Sequence, residues 1–291
     1  MNLNQAPILS VETATPVCSV ALRLPDGTLY EERAEGKGGH SELTFVFIRK
    51  LLDDAGICVR DLGAVLVSGG PGSYTGLRIG GSAVKGLLFQ SGVPLYAYNT
   101  LAGIALGAAH AAMKCYSNAM SGGRNTGKSH SNELSGSTIS DSLKSRGRDE
   151  KESEVPEMGL IIDAVIDARR NHLYHQTWHY SKNGLTPESG LVALELEVVL
   201  EWWTSGRMLA GTGSERMLRL AESRGIRIAG LSPFAGTEII SAASILEYIA
   251  GDPERHSEAS KQKRPMVKGY GMKLIQKVDP SGFEPDYYSG L

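Results

Sequence analysis

Ile8 to Thr13 is a short run led by the apolar Ile8, Leu9 and Val11, and from Cys18 to Leu24 apolar positions alternate with small or polar ones. Asp26-Gly27 separates that run from Leu29 to Arg33. Alternation interrupted by an Asp-Gly pair is a hairpin pattern, so three antiparallel strands are predicted at the start. The period then changes. Leu43, Phe47, Ile48, Leu51 and Leu52 recur at helical spacing from Ser41 to Ala55, with Ser41 placed to cap the helix and Gly56 to stop it. Ala64 to Ser68 is another short apolar run, followed by a glycine-rich stretch and a helical pattern to about Gln90. Val93 to Tyr98 reads as a strand, and Thr100 as the cap of a helix ending near Ala112. The predicted order is β-β-β-α-β-α-β-α.

Residues 113–156 are dominated by Ser, Gly, Asn and charged side chains, with almost no aromatics after Tyr116. Such a composition buries too little apolar area to offset its ordering entropy and predicts a disordered polar insertion. Pattern resumes with Gly159 to Asp167, His172 to Tyr180 and Leu191 to Leu196 as strands, Leu196 to Trp203 as a short helix and Met208 to Gly211 as a short strand. Ser214 to Arg224 and Thr237 to Ala250 read as helices. Strands followed by helices repeat the layout of the first half. The predicted organisation is a lobe over 1–112, the insertion over 113–156, a second lobe over 157–250 and a tail over 251–291. Between Arg255 and Lys277 that tail carries seven basic residues against Glu258 alone. A run of this kind is either a solvated tail or a contact for RNA or an acidic partner.

The glycine-rich stretch is Gly70-Pro71-Gly72-Ser73-Tyr74-Thr75-Gly76. A turn between strand and helix can aim backbone N–H groups at an anion, or it can be a tight turn with close packing and no ligand. It ends in Leu77-Arg78 where a Walker loop needs Lys-Ser/Thr, and its glycines lack the Gly-x-Gly-x-x-Gly spacing. Ser73 is placed to cap the following helix. In that helix Gly76, Gly80 and Ala83 recur at helical spacing, with Leu87 continuing the row. Each interior glycine costs up to about 1 kcal/mol relative to Ala, which close packing against another element would offset. That element lies either in the same domain or in a second chain.

The chain has 291 residues, 41% of them hydrophobic, and a net charge of -2, which argues against a protein that grips nucleic acid unaided. No apolar stretch approaches the ~20 residues of a membrane span, and Met1 to Pro7 lack the features of an export signal. Cys18, Cys58 and Cys115 form no framework or metal motif, which predicts a reducing cytoplasmic setting. His172, His175 and His179 would share a face on a helix but not on the strand predicted there. Asp163 and Asp167 fall on one face of their strand if it is regular. No metal site and no nucleophile–base set emerges.

Pro71-Gly72-Ser73-Tyr74-Thr75-Gly76-Leu77-Arg78-Ile79-Gly80 closely resembles the signature of the TsaB (YeaZ) family, with Tyr74 where the family usually has Phe. Ile8 to Thr15 with Cys18 to Leu22, His40-Ser41-Glu42-Leu43, and Asp167-Ala168-Arg169-Arg170 before Tyr174 agree with it in order. The resemblance is closest over 7–112 and extends over 157–250. It implies an α/β fold of the actin-like ATPase (ASKHA, RNase H-like) type, with two lobes of mixed sheet and flanking helices, the second lobe reduced. Three departures stand out: the insertion, an ending with only Pro285-Asp286-Tyr287-Tyr288 in place of Pro-x-Tyr-Leu-Arg, and Glu12 where the family commonly has Asp.

The family resemblance also implies a role: a scaffold subunit without catalysis of its own, in the complex that forms N6-threonylcarbamoyladenosine at position 37 of tRNA. The transferase TsaD would do the chemistry, with TsaE and TsaC as further partners, tRNA engaged through the complex, and a homodimer in the absence of partners. No cofactor is expected for the chain alone, and ATP or ADP only in the complex, with Glu12 the candidate contact. The helix pair Ser41 to Ala55 and Thr75 to Gln90 would form the interface, with His40, Leu43, Phe47, Leu51, Gly76, Arg78, Gly80, Ala83 and Leu87 as its residues. His40 is followed at i+4 by Thr44, so the His-x-x-x-His metal pair of TsaD is missing. An independent actin-like ATPase or metallopeptidase, or an RNA-binding module, are the alternative functions.

Overall fold

The computed structural model describes residues 5–36, 38–121, 159–203, 207–226, 236–251 and 274–287. Residues 122–156 of the predicted insertion, and six of the seven basic residues counted from Arg255, lie outside them.

The first lobe is built on a six-stranded sheet. Strands β1 (Ile8–Glu12), β2 (Val17–Arg23) and β3 (Leu29–Glu35) form the expected antiparallel meander. Helix α1 (His40–Ala55) leads to β4 (Ala64–Ser68), and α2 (Tyr74–Leu88) to β5 (Leu95–Tyr98). Both strands run parallel to β1, giving the order β5-β4-β1-β2-β3. β1, β2 and β4 are buried along their whole length, as expected of strands covered on both faces. One face packs under α1 and α2 through Leu9, Val11, Val20, Leu22, Val65 and Val67. The other joins a core shared with α3 (Thr100–Ser121) through Ile8, Ala21, Ala64 and Leu66.

The second lobe has β6 (Leu160–Asp167), β7 (His172–Ser181), β8 (Gly184–Pro187), β9 (Val192–Glu195), α4 (Leu196–Trp202), β10 (Met208–Ala210), α5 (Ser214–Ser223) and α6 (Ala243–Gly251). Its sheet runs β10-β6-β7-β8, with β9 also pairing with β7. Helices α3 and α6 lie between the lobes and belong to one continuous core with both sheets. Buried Asn99 donates to Gln176 of β7 at 3.0 Å, a polar tie across this seam.

Several boundaries differ from the pattern reading. Gly39, in a left-handed conformation, caps α1, so Ser41 sits within the first turn. Asn99 caps α3 instead of Thr100: its Oδ1 accepts the amides of Leu101 at 2.8 Å and Ala102 at 3.3 Å. α3 extends through Ser121, nine residues beyond Ala112, so the polar composition after 112 begins inside a helix. Residues 237–242 are not helical. Their backbone is drawn onto β3 instead: Arg33 donates to the carbonyls of Thr237 and Ile240, and Ser241 to Glu31.

The largest correction is at the C-terminus. Residues 274–287 are no solvated tail. β11 (Ile275–Val278) pairs antiparallel with β5 as the sixth strand of the first sheet. Phe283, 5% exposed, enters the core beneath α2. The Asp286 amide donates to Gly69 O at 2.8 Å, and the Tyr287 ring lies 4.9 Å from that of Tyr74. Pattern reading missed this because Ile275-Gln276-Lys277-Val278 holds only two apolar residues, at the end of a basic stretch.

Candidate functional site

Three parallel strands of the first lobe end side by side, at Glu12, Ser68 and Tyr98. The turn after β1 and the glycine-rich turn after β4 meet above them. The latter holds a cis peptide bond at Gly70–Pro71. Three amides of this region are bonded within the lobe. Gly69 N–H donates to Tyr98 O at 2.8 Å, Ser73 N–H to Ala14 O at 2.7 Å and Gly76 N–H to Ser73 Oγ at 3.2 Å. The last bond is the cap expected of Ser73. Of the two readings of this turn, packing accounts for the geometry.

Packing also accounts for the glycine row of α2. A Cβ on Gly76 would stand 2.0 Å from Thr13 O, and one on Gly80 would stand 2.4 Å from Thr13 Oγ1. Thr13 Oγ1 in turn donates to Gly76 O at 2.8 Å. The two glycines therefore face the turn after β1 in the same lobe. Gly76, Gly80 and Ala83 are buried, as are Phe47 and Leu51 in the core below α1. Leu43 and Leu87 are half-buried against that core. Six of these positions pack within their own domain, while Ala83, though buried, also lines the groove between α1 and α2. His40 is half-buried, its Nε2 3.1 Å from Thr15 O.

Glu12 is also turned inward. Its Oε1 accepts the Ala14 amide at 2.7 Å and its Oε2 the Tyr98 hydroxyl at 3.1 Å. The residue is 3% exposed. Burial pushes its pKa up to about 7, against the opposing pull of the Ala14 amide and of the Tyr98 and Ser68 hydroxyls. In this arrangement both carboxylate oxygens of Glu12 take hydrogen bonds from the chain itself. In the second lobe, Asp163 is buried and takes His175 Nε2 at 2.9 Å and Thr177 Oγ1 at 2.7 Å. Asp167, at the strand end, is held by Arg216. The histidines lie on a strand as expected. Among the described residues no three His, Cys, Asp or Glu side chains group as metal ligands would.

What the first lobe does present is a shallow groove of about 400 Å³ between α1 and α2, lined by Ser41, Phe45, Tyr74, Thr75, Arg78 and Ile79 among others. Phe45, Val46 and Tyr74 are 52%, 57% and 51% exposed, far more than large apolar side chains need to be. Arg78 is exposed, and its guanidinium lies 4.3 Å from the Tyr74 ring centroid and 5.8 Å from that of Tyr287. Arg78 is thus the one exposed member of the expected interface set. Phe45 and Val46 were legible as apolar positions lying off the Leu43–Phe47–Leu51 stripe. Tyr287 was not, because only the folded C-terminal segment brings it to α2.

Sheet order, the strand-end turns and the two helices between the sheets define an actin-like α/β protein of two lobes, the second reduced. YeaZ from Pseudomonas aeruginosa shares this fold with a TM-score of 0.56 at 22% identity, over 84% of this chain and 92% of that one. A family model described as TsaD, tRNA N6-adenosine threonylcarbamoyltransferase, matches residues 35–145. The tRNA threonylcarbamoyladenosine biosynthesis protein TsaB of Escherichia coli is 35% identical over 101 residues, 35% of this chain and 43% of that protein. Its Bacillus subtilis counterpart is 32% identical over 103 residues, 35% of this chain and 45% of the relative. The chain thus spans less than half the length of these curated relatives. These likenesses bear out the resemblance to the TsaB (YeaZ) family.

Proposed function

We propose that this chain is a non-catalytic subunit in the formation of threonylcarbamoyladenosine on tRNA, acting by docking a TsaD-type transferase on the α1–α2 face. The observation that carries this reading is the exposure of Phe45 and Tyr74 around one groove, with Val46 exposed next to Phe45 on α1. Apolar side chains gathered this way mark an interaction surface. The inward-facing Glu12 and the internally bonded glycine-rich turn support the absence of chemistry in the chain itself. Transfer of the threonylcarbamoyl group falls to TsaD. TsaE and TsaC act on the same complex, and ATP or ADP enters only there. In the absence of partners the same face pairs with a second copy. The interface differs from the one expected from the glycine row: it is made by the outward side of α1 and α2, not by the buried side.

The test is tRNA modification in a mixture of TsaC, TsaD, TsaE, tRNA, threonine, bicarbonate and ATP, with and without this chain. Product that appears only in its presence is the expected result. Equal product in both mixtures, with the chain folded, would reject the reading. Nucleotide or metal binding by the isolated chain would favour an independent enzyme instead.

A further inference from the structure

The turn between β6 and β7 carries two adjacent arginines in an unusual backbone state. Arg169 and Arg170 have φ of 69° and 48°. Side chains other than glycine, Asn or Asp seldom occupy this region, at a cost of roughly 1–2 kcal/mol per residue. A sequence free of other demands would place glycine or Asn there. Strained positions of this kind persist only where their surroundings hold them, and an observed outlier points to function.

The surroundings do hold the turn. The Arg169 amide donates to Asp167 Oδ1 at 2.9 Å. Arg216 of α5 pairs with the same carboxylate and donates to the Arg170 carbonyl. Asn171 is fixed on the other side by Glu197 at 2.6 Å, and its carbonyl takes the Leu196 amide at 2.9 Å. The acids that could neutralise the turn are thus engaged: Asp167 by Arg216, and Glu197 by Asn171 with Arg224 3.9 Å away. Glu195 faces His172 across the β7–β9 ladder, beyond the pair. Both arginines are exposed, and among the described residues neither guanidinium has a hydrogen bond or an ion pair. Two neighbouring, unneutralised guanidiniums on a pinned turn are suited to phosphate oxygens, whose geometry their planar forks match.

We infer that Arg169 and Arg170 contact the phosphate backbone of RNA, and that the second lobe thereby holds tRNA beside the partner docked on the first. The choice of RNA over an acidic protein rests on the reading proposed above. It gives the chain a direct hand on the substrate, where the scaffold role alone needs none.

The test is equilibrium binding of the full chain to unmodified tRNA over a range of salt concentrations. Arg169→Ala/Arg170→Ala is compared with the parent and with Arg169→Lys/Arg170→Lys, with circular dichroism to verify folding. Each lost phosphate contact lowers the slope of log K against log salt by about 0.7–0.9. The double alanine variant is therefore expected to bind more weakly, with a slope reduced by about 1.5, and the lysine variant to keep most of the slope. The basic residues from Arg255 onward are present in all three proteins and cancel in the comparison. An unchanged slope in the alanine variant, or no salt-dependent binding by the parent, overturns the proposal. Polyglutamate displacing tRNA from the parent at equal charge concentration, but not from the alanine variant, would also overturn it, in favour of an acidic protein. Co-purification with TsaD is read separately: its loss in the parent defeats the docking proposal, whereas the tRNA slope alone decides the arginine pair.

Discussion

Tyr98 donates its hydroxyl to Glu12 Oε2 at 3.1 Å, at the point where the parallel strands of the first lobe end together. The carboxyl is sealed from water, and burial pushes its pKa up from 4.5 to about 7. Burial and the nearby Glu12 carboxyl together push the Tyr98 hydroxyl well above its usual value. Between the two carboxyl values the folded chain binds a proton that the unfolded chain has released. Stability from this group is therefore complete below about pH 4.5 and is lost as pH rises to about 7. The expected loss is on the order of 3 kcal/mol, since each tenfold change in proton affinity is worth about 1.4 kcal/mol. Urea unfolding of the parent and of Glu12→Gln between pH 5 and pH 8 checks it. The Gln variant should lack this component, and an identical pH profile in both proteins would refute the assignment.

Gly80 lies against Thr13, and its replacement should damage the fold before it damages any interface. The Cβ of Gly80→Ala would press on Thr13 Oγ1 from 2.4 Å. To make room, Thr13 must shift away from the Gly76 carbonyl, at an expected cost of about 1–3 kcal/mol. Gly80→Arg should not yield a native first lobe at all. Thermal unfolding of both variants decides the matter, and a normal melting temperature for Gly80→Arg would contradict the packing described.

Phe45 and Phe47 are two residues apart on α1 and should respond in opposite ways. Phe45 is 52% exposed and Phe47 9%. Phe45→Glu is expected to leave stability within about 0.5 kcal/mol while abolishing co-purification with TsaD. Phe47→Ala should cost about 3–5 kcal/mol, as for a buried aromatic ring. If Phe45→Glu still binds TsaD normally, the docking face lies elsewhere.

Phe283 anchors the C-terminal segment in the core under α2, while Tyr287 lies on the surface over Tyr74 and Arg78. Phe283→Ala is expected to lower stability by about 3–5 kcal/mol. Tyr287→Ala, which removes one tilted ring pair, should lower it by about 1 kcal/mol. Chemical denaturation of the two variants separates an anchored strand from a loosely attached tail, for which both values would be near zero.

Up to residue 112 the first lobe was legible because its elements announce themselves locally. The Asp26-Gly27 hairpin, the Leu43–Phe47–Leu51 stripe and the apolar run Ala64 to Val67 of β4 each satisfy a local rule within a few residues. Ser73 as a cap follows from its side chain and its neighbours alone. The candidate site was legible only in part. Apolar residues at 45 and 46, off the stripe, were visible in the sequence, and so was the spacing of Gly76 and Gly80. Which way that glycine row faces was not visible, since an intramolecular Thr13 and a partner helix make the same demand for small residues.

Sequence alone determined the α/β alternation, the strands that begin each lobe, and the motif that ties the chain to its relatives. Those properties follow from hydrophobic period and turn chemistry, which act over short distances along the chain. Tertiary structure decided that Glu12 turns inward under Tyr98, that residues 237–242 follow β3 in place of a helix, and that Ile275–Val278 completes the first sheet. Each of these depends on a partner more than eighty residues away, whether a hydroxyl, a guanidinium or an open strand edge. Pairings at that range are selected by what the rest of the fold leaves unsatisfied, and no local pattern records them.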